Sequence, residues 1–317
     1  MSRSVTGVWR VAGVLSLSGA LAIPIVSVAA SQPLELNVRS FRQLVVVPVE
    51  IGGDDDLNFV LDSGSVATTV NDLEIAKLLG LHTRPLGVAE GFGGNRLPVL
   101  LAPDVEVSSH GTALMRTDLV VHHVAELQEE HTGWALHGLL GTDLFLRYAV
   151  EIDPARGMVV LHSPNTPVPF ESLAVAAVDV HRRRPIVNVK LTFDGRRRTS
   201  ARLLLDTGAE GEVLIVNGAK RRLQAPPNGR RVRVTGIGGT ANGVVAPLEV
   251  LEIGGMEIRG LDAAFVERHT MPSTREIRRI DGVLGNGVLG LYRCWIDLQA
   301  GRLALGRSEH SGKRRQP

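Results

Sequence analysis

Short apolar runs separated by glycine turns recur along the chain, and their order repeats from one half to the other. Residues 44–51 are almost continuously apolar, Gly52-Gly53-Asp54 marks a turn, and a return run over 57–61 ends at Asp62. Residues 186–193 alternate apolar and polar positions, Asp194-Gly195 turns, and a second return run, Leu203-Leu204-Leu205, ends at Asp206. Runs of this length bounded by turn residues predict β-hairpins. Glycine clusters follow at matched places: Gly91-Phe92-Gly93-Gly94 and Gly236-Ile237-Gly238-Gly239, each leading into a β-rich run over 97–107 or 244–253. Glycines between two such runs predict a mobile hairpin tip in each half, with an ordinary loop as the alternative. A phosphate cradle fits poorly, because no helix start or Lys-Ser/Thr follows either cluster.

A third landmark is Gly138-Leu139-Leu140-Gly141, answered by Gly282-Val283-Leu284-Gly285. Both lead into a short helical segment ending near Tyr148 or Tyr292, then a strand closing at Asp153 or Asp297, a turn and a last strand. Such self-similarity predicts a duplicated unit. Asn71-Asp72-Leu73-Glu74 has capping-box form with Asn71 at the cap, and Ile75, Leu78 and Leu79 give the helix its apolar face. Three prolines within 163–169 make a stiff connector. The expected division is therefore 1–30 as an amino-terminal segment, 34–162 as one lobe, 163–169 as linker, 170–307 as a second lobe and 308–317 as a basic tail.

Composition supports β lobes. With 317 residues, 44% apolar but only 4% aromatic, the chain can fill two cores, mostly with Val, Leu, Ile and Ala. A net charge of +2 gives no field that would mark a nucleic-acid binder. The single cysteine, Cys294, excludes an intrachain disulfide and a cysteine-based metal site; its apolar surroundings predict a buried thiol. Arg3 and Arg10 precede an apolar run from 11 to 28, and small residues follow through Ala29 and Ala30. That layout predicts a signal peptide, and so a periplasmic or secreted protein; the run is also long enough for an uncleaved anchor.

The repeated aspartate carries the chemistry. Two carboxylates sharing one site cannot both ionise cheaply, so one pKa falls and the other rises. The pair then holds one proton and acts as base and acid together, drawing a proton from water while polarising a carbonyl. Gly64 and Gly208 let the backbone approach the carboxylates, and the hydroxyls of Ser63 and Thr207 can hydrogen-bond across two facing loops. A D-[ST]-G after a strand is otherwise a common turn. Two copies embedded in a repeat favour the paired arrangement. Among other chemistries, no His-Glu-x-x-His, Gly-x-Ser-x-Gly or nucleotide-loop pattern is present. His122, His123, His131 and His137 lie near one another in sequence only, in polar and acidic surroundings, so neither a metal nor another cofactor is expected.

These motifs closely resemble the aspartic peptidases of the pepsin and retroviral-protease type, over roughly residues 40–306. The matching residues are Asp62-Ser63-Gly64-Ser65 with Leu139-Leu140-Gly141, and Asp206-Thr207-Gly208-Ala209 with Val283-Leu284-Gly285. The resemblance implies a mostly β fold: two pseudo-symmetric retropepsin-like closed β-barrel lobes in a pepsin-like bilobal arrangement, with short helices. It implies an aspartic endopeptidase that cuts extended polypeptides with Asp62 and Asp206. Ser63, Gly64, Ser65, Thr207, Gly208 and Ala209 would support the catalytic loops. Glu210 matches the retroviral acidic residue that contacts substrate backbone. Gly91, Phe92, Gly93 and Gly94, with Gly236, Ile237, Gly238 and Gly239, would form two substrate-covering flaps. Val66 stands where the second half has Glu210, and no tyrosine matches the single pepsin flap. The expected active unit is one chain, an intrachain pseudo-dimer, that binds no nucleic acid and touches a membrane only through an uncleaved anchor. A non-cutting peptide binder and a structural periplasmic β protein are the alternatives. Ser65 can donate to Asp62 and Ala209 cannot do so for Asp206, which makes Asp62 the carboxyl expected to ionise more readily.

Overall fold

The structure, a computed structural model, describes residues 32–123, 135–193, 195, 198–275 and 277–308, together with the backbone of residues 8–11 and 16–17. The expected signal segment lies outside the described residues except for that backbone. His131, Asp194, Arg196, Arg197 and the basic tail beyond Ser308 also lie outside them. Val8–Val11 runs parallel to Arg230–Gly236, and Ser16–Leu17 pairs antiparallel with Arg84–Glu90. Among the described residues no helix is long and apolar enough to cross a membrane.

Alternating and continuous apolar runs become strands, and the way they are buried brings the aspartates inside. Leu44–Ile51 and Asp54–Leu61 form an antiparallel hairpin in which Val47 faces Phe59. The return strand starts exposed at Asp54, Asp55 and Asp56 and is buried from Leu57 to Leu61, so it enters the core as it approaches Asp62. Arg184–Thr192 and Thr199–Asp206 repeat this, with Leu203, Leu204 and Leu205 fully buried before Asp206. Each such leucine contributes about 2 kcal/mol by leaving water.

The late apolar-glycine blocks explain themselves once the strands are in place. Gly138–Leu140 lies parallel to Asp54–Leu61 with Leu140 beside Leu61, and the Asp62 N–H donates to the Leu140 carbonyl at 2.9 Å. Gly282–Gly285 lies parallel to Thr199–Asp206, with Gly285 beside Asp206. Thr69–Val70 and Val213–Val216 pair antiparallel with the other edges of these blocks. Each aspartate strand is thus locked by a segment from near the end of its own half. The first helix, Leu73–Leu78, is capped by Asp72, whose side chain accepts from the Glu74 N–H at 2.6 Å. The cap falls one residue beyond the expected Asn71, whose backbone N–H instead bonds His137.

Six antiparallel strands bridge the two halves, in the order Ser172–His181, Arg302–Gly306, Arg293–Asp297, Ala149–Asp153, Met158–His162, Leu34–Asn37. Three come from each half, and the central pair sets Glu151 opposite Trp295. Glu151 is buried and accepts from Arg293 Nε at 2.7 Å, while its other oxygen meets His162 Nε2 at 2.9 Å. Arg293 also stacks over Phe170 at 4.7 Å. Burial pushes the Glu151 carboxyl up, but the hydrogen bonds from His162 and Arg293 outweigh it, so the group sits below its usual value. Its stabilisation is present above the ordinary glutamate range and is lost as pH falls through the lowered folded value. Glu151→Gln, which leaves Arg293 only the more distant Asp153 at 3.8 Å as a counter-charge, is expected to destabilise the protein by about 2 kcal/mol at pH 7. Chemical denaturation at pH 7 checks this, and the deficit should shrink in strong acid.

Candidate active site

Asp62 and Asp206 are both completely buried, each at the end of its strand. Their loops interlock through a symmetric set of four hydrogen bonds. The Ser63 N–H donates to Thr207 Oγ1 at 3.0 Å, and the Thr207 N–H donates to Ser63 Oγ at 3.1 Å. Each hydroxyl then donates across to the carbonyl before the opposite aspartate: Ser63 to Leu205 at 2.8 Å, Thr207 to Leu61 at 2.7 Å. A side chain with both donor and acceptor capacity is needed at each position, which is why the motif admits Ser or Thr.

The glycines sit against the carboxylates. A Cβ on Gly64 would lie 2.5 Å from Asp206 Cγ, and one on Gly208 would lie 2.5 Å from Asp62 Cγ. Any larger residue in either motif would collide with the acid of the other lobe.

The inner oxygen of each carboxylate is held by backbone donors. Asp62 Oδ1 accepts from the N–H groups of Gly64 at 2.8 Å and Ser65 at 2.9 Å, and Asp206 Oδ1 accepts from Gly208 at 2.9 Å. Both Oδ2 atoms are buried with no protein donor. Burial drives Asp62 up to about 6, against hydrogen bonds from Ser65, Asp206 and Gly64. Burial and then the neighbouring charge of Asp62 drive Asp206 well above the usual carboxylate range. The donation expected from Ser65 to Asp62 takes another form. The Ser65 hydroxyl donates to the Ala67 carbonyl at 2.8 Å, and only its backbone N–H reaches Asp62.

Glu210 follows buried Ala209 and pairs with Arg42 of the first half at 3.3 Å. The two glycine clusters meet. Phe92–Gly94 forms a tight turn between Arg84–Glu90 and Arg96–Ser109, while Gly236–Gly239 tips the hairpin of Arg230–Gly236 and Gly239–Leu248. The Phe92 N–H donates to the Ile237 carbonyl at 2.7 Å. Close approach and positive φ at Gly93 (84°) and Gly238 (101°) account for glycine there.

Sequence reasoning missed Asp143. This buried residue, two positions after Gly141, accepts from the Thr68 hydroxyl at 2.7 Å and the Thr68 N–H at 3.1 Å. Thr117 adds a third bond at 3.2 Å, and Thr68 Oγ1 in turn accepts from the Gly141 N–H at 3.1 Å. Asp143 therefore pins the loop that follows Asp62. The one available signal was an acid two residues after the glycine block, directly before the apolar Leu144-Phe145-Leu146. The second half has Gly287 there, and Asn286 reaches the Gln43 carbonyl of the first half instead.

Comparison with known proteins agrees with this geometry. Residues 189–291 match a family model described as aspartyl protease. That match includes Asp206-Thr207-Gly208 and the Gly282–Gly285 block. The fold is similar to that of an aspartic proteinase from Irpex lacteus, with a TM-score of 0.51 at 11% identity, covering 89% of this chain and 99% of that one. It is equally similar to basic 7S globulin from soybean, with a TM-score of 0.50 at 12% identity, covering 89% and 97%. No curated protein matches the chain. The mostly β, pepsin-like fold and the resemblance to aspartyl peptidases are therefore established, and the likeness to the solved structures bears on the fold alone.

Proposed function

We propose that this protein is an aspartic endopeptidase in which Asp62 and Asp206 together activate water against a peptide bond. The observation that carries the proposal is the reciprocal packing of Gly64 on Asp206 and Gly208 on Asp62, which brings two fully buried carboxyls into one site. Asp62 takes the proton of the attacking water. Asp206 keeps its proton and gives it to the substrate carbonyl, so the tetrahedral intermediate forms without a covalent enzyme adduct. Collapse returns a proton to the leaving nitrogen. An extended chain is the substrate form the resemblance implies, since its backbone can pair with strand edges. Glu210 stands next to the Asp206 loop, where the resemblance puts a contact to substrate backbone. Both acids belong to one chain, which supports a monomer as the active unit. The basic-then-apolar amino terminus supports export to the periplasm or beyond, with attachment to the membrane if that segment is retained.

The pH profile tests the assignment. kcat/KM on an unfolded protein substrate is expected to rise as Asp62 ionises, with its acidic limb near pH 6, and to fall above that as Asp206 loses its proton. A rate that climbs monotonically into alkali would contradict a shared-proton dyad.

A further inference from the structure

Three consecutive arginines, Arg182, Arg183 and Arg184, sit on a hairpin that brings them to a cavity. Ser172–His181 and Arg184–Thr192 pair antiparallel with His181 facing Arg184, and Arg182 and Arg183 make the turn at φ of 48° and 64°. Asparagine and glycine adopt that left-handed backbone more readily, so two arginines are not what the turn alone would select. Arg184 is only 4% exposed, a charged side chain held inside the fold. Among the described residues, a cavity of about 80 Å³ beside it is lined by Asp179, His181, Arg184, Ile186, Arg202 and Arg279. Three arginines therefore border a space suited to one small oxyanion, against a single carboxylate. That carboxylate, Asp179, is exposed and lies 3.4 Å from Arg202 Nη2. The next acid, Asp281, is already engaged by Lys220 at 2.9 Å and by the Arg202 backbone N–H at 2.8 Å.

The cavity adjoins the candidate active site. Ile186 faces Leu204, two residues before Asp206, and shares an apolar cluster with Leu204, Ala209 and Val283. Arg202 stands four residues before Asp206, roughly 13 Å of strand. The first half carries the opposite charge at the equivalent place. Asn58 stands four residues before Asp62, and Arg39 faces Val46 as Asp179 faces Ile186. There Arg39 donates to Asn58 Oδ1 at 2.9 Å, and the adjoining cavity is bordered by Asp54 and Asp56. The two sides of the dyad thus differ in charge although their strands correspond.

We propose that the second-half cavity binds one oxyanion, and that this oxyanion is the carboxylate of an Asp or Glu in the substrate, a few residues from the cleaved bond. Its identification with substrate rests on the peptidase reading; the oxyanion site itself does not. Arginine offers paired N–H donors that match a carboxylate in its own plane, and such charge-assisted bonds are the stronger kind. A free phosphate offers the same acceptors, so the experiment separates the two sources.

Binding is measured in an Asp62→Asn background, so turnover is not needed. Fluorescent peptides of otherwise uncharged sequence carry one Glu, moved residue by residue to either side of the centre, and are titrated by anisotropy against the matching Gln peptides. Glu is expected to bind about tenfold tighter than Gln at one or two adjacent positions on one side of the centre only. That ratio should shrink toward one in Arg202→Gln and in Arg279→Gln, whose side chains are half-buried and exposed. Melting curves with and without inorganic phosphate, at constant ionic strength, establish that each variant is folded and report any free-anion binding. Phosphate stabilisation that Arg202→Gln removes, without a Glu preference at any position, would overturn the substrate assignment in favour of a free anion. Neither effect would overturn the site altogether. A Glu preference equal on both sides, or one that survives both arginine variants, would reduce it to general attraction and overturn it too. Absence of cleavage by the unmodified chain, with the binding pattern intact, would count against the peptidase reading alone.

Discussion

Asp62→Asn is expected to lower kcat at least a thousandfold and, at the same time, to make the protein more stable at neutral pH. The first effect follows from the assigned chemistry: an amide cannot take the proton of water, and residues acting as one unit fail together. The second follows from burial. A carboxyl lifted from 3.8 to about 6 contributes stability that is fully present below 3.8 and is lost as pH rises through about 6. At pH 7 the wild-type dyad holds a buried charge, whereas the variant keeps a single buried acid, Asp206, whose charging desolvation alone already opposes. Two pKa units correspond to roughly 3 kcal/mol. The asparagine Oδ1 still accepts from the Gly64 and Ser65 N–H groups, so little is lost in exchange. Thermal melts of wild type and variant at pH 4 and pH 7 check this. The variant's advantage should be small at pH 4 and several degrees at pH 7. An advantage that does not depend on pH would mean that Asp62 is not a strained acid.

Gly208→Ala is expected to remove activity by at least a hundredfold and to destabilise the protein by about 3 kcal/mol. The new methyl group would lie 2.5 Å from Asp62 Cγ, far inside van der Waals contact, and the facing carboxyl is held by two backbone donors that do not yield cheaply. Pushing the loops apart also strains the four bonds between Ser63 and Thr207 and the carbonyls of Leu61 and Leu205. Gly53→Ala is the matched control. Its φ of 90° makes alanine unfavourable by about 1 kcal/mol, but nothing lies within 4 Å of the added carbon. That variant should lose some stability and keep its turnover. Comparing kcat and denaturation midpoints of the two separates collision at the dyad from backbone strain.

What could be read from the sequence was what repeats. The return strands ending at Asp62 and Asp206, the glycine tips and the late apolar-glycine blocks are each written in local alternation, turn residues and a common spacing. Their placement needed only that each half fold alike. What could not be read lies across the two halves, where no local pattern speaks. Arg42 meeting Glu210 joins residues far apart in sequence, and nothing in either neighbourhood marks them as partners. The bond from Phe92 to Ile237 depends on how two tips cross. The fate of the Ser65 hydroxyl turned on a competitor. Its short side chain finds the Ala67 carbonyl within its own turn, so the backbone N–H does what the hydroxyl was expected to do. The helix cap moved from Asn71 to Asp72 for a similar reason, since Asn71 is drawn into the first half by its bonds to His137 and Leu136.

The central claim is that two unlike acids cut a peptide bond together. Its most direct test is mass-spectrometric mapping of new termini in an unfolded protein incubated with the purified chain at pH values from about 3 to 7, a range set by dyad protonation. Asp62→Asn and Asp206→Asn variants run beside it. The expected result is a defined set of new termini with the wild-type chain and none with either variant. The claim is contradicted if the wild-type chain makes no cut anywhere in that range, or if either variant makes the same cuts at the same rate.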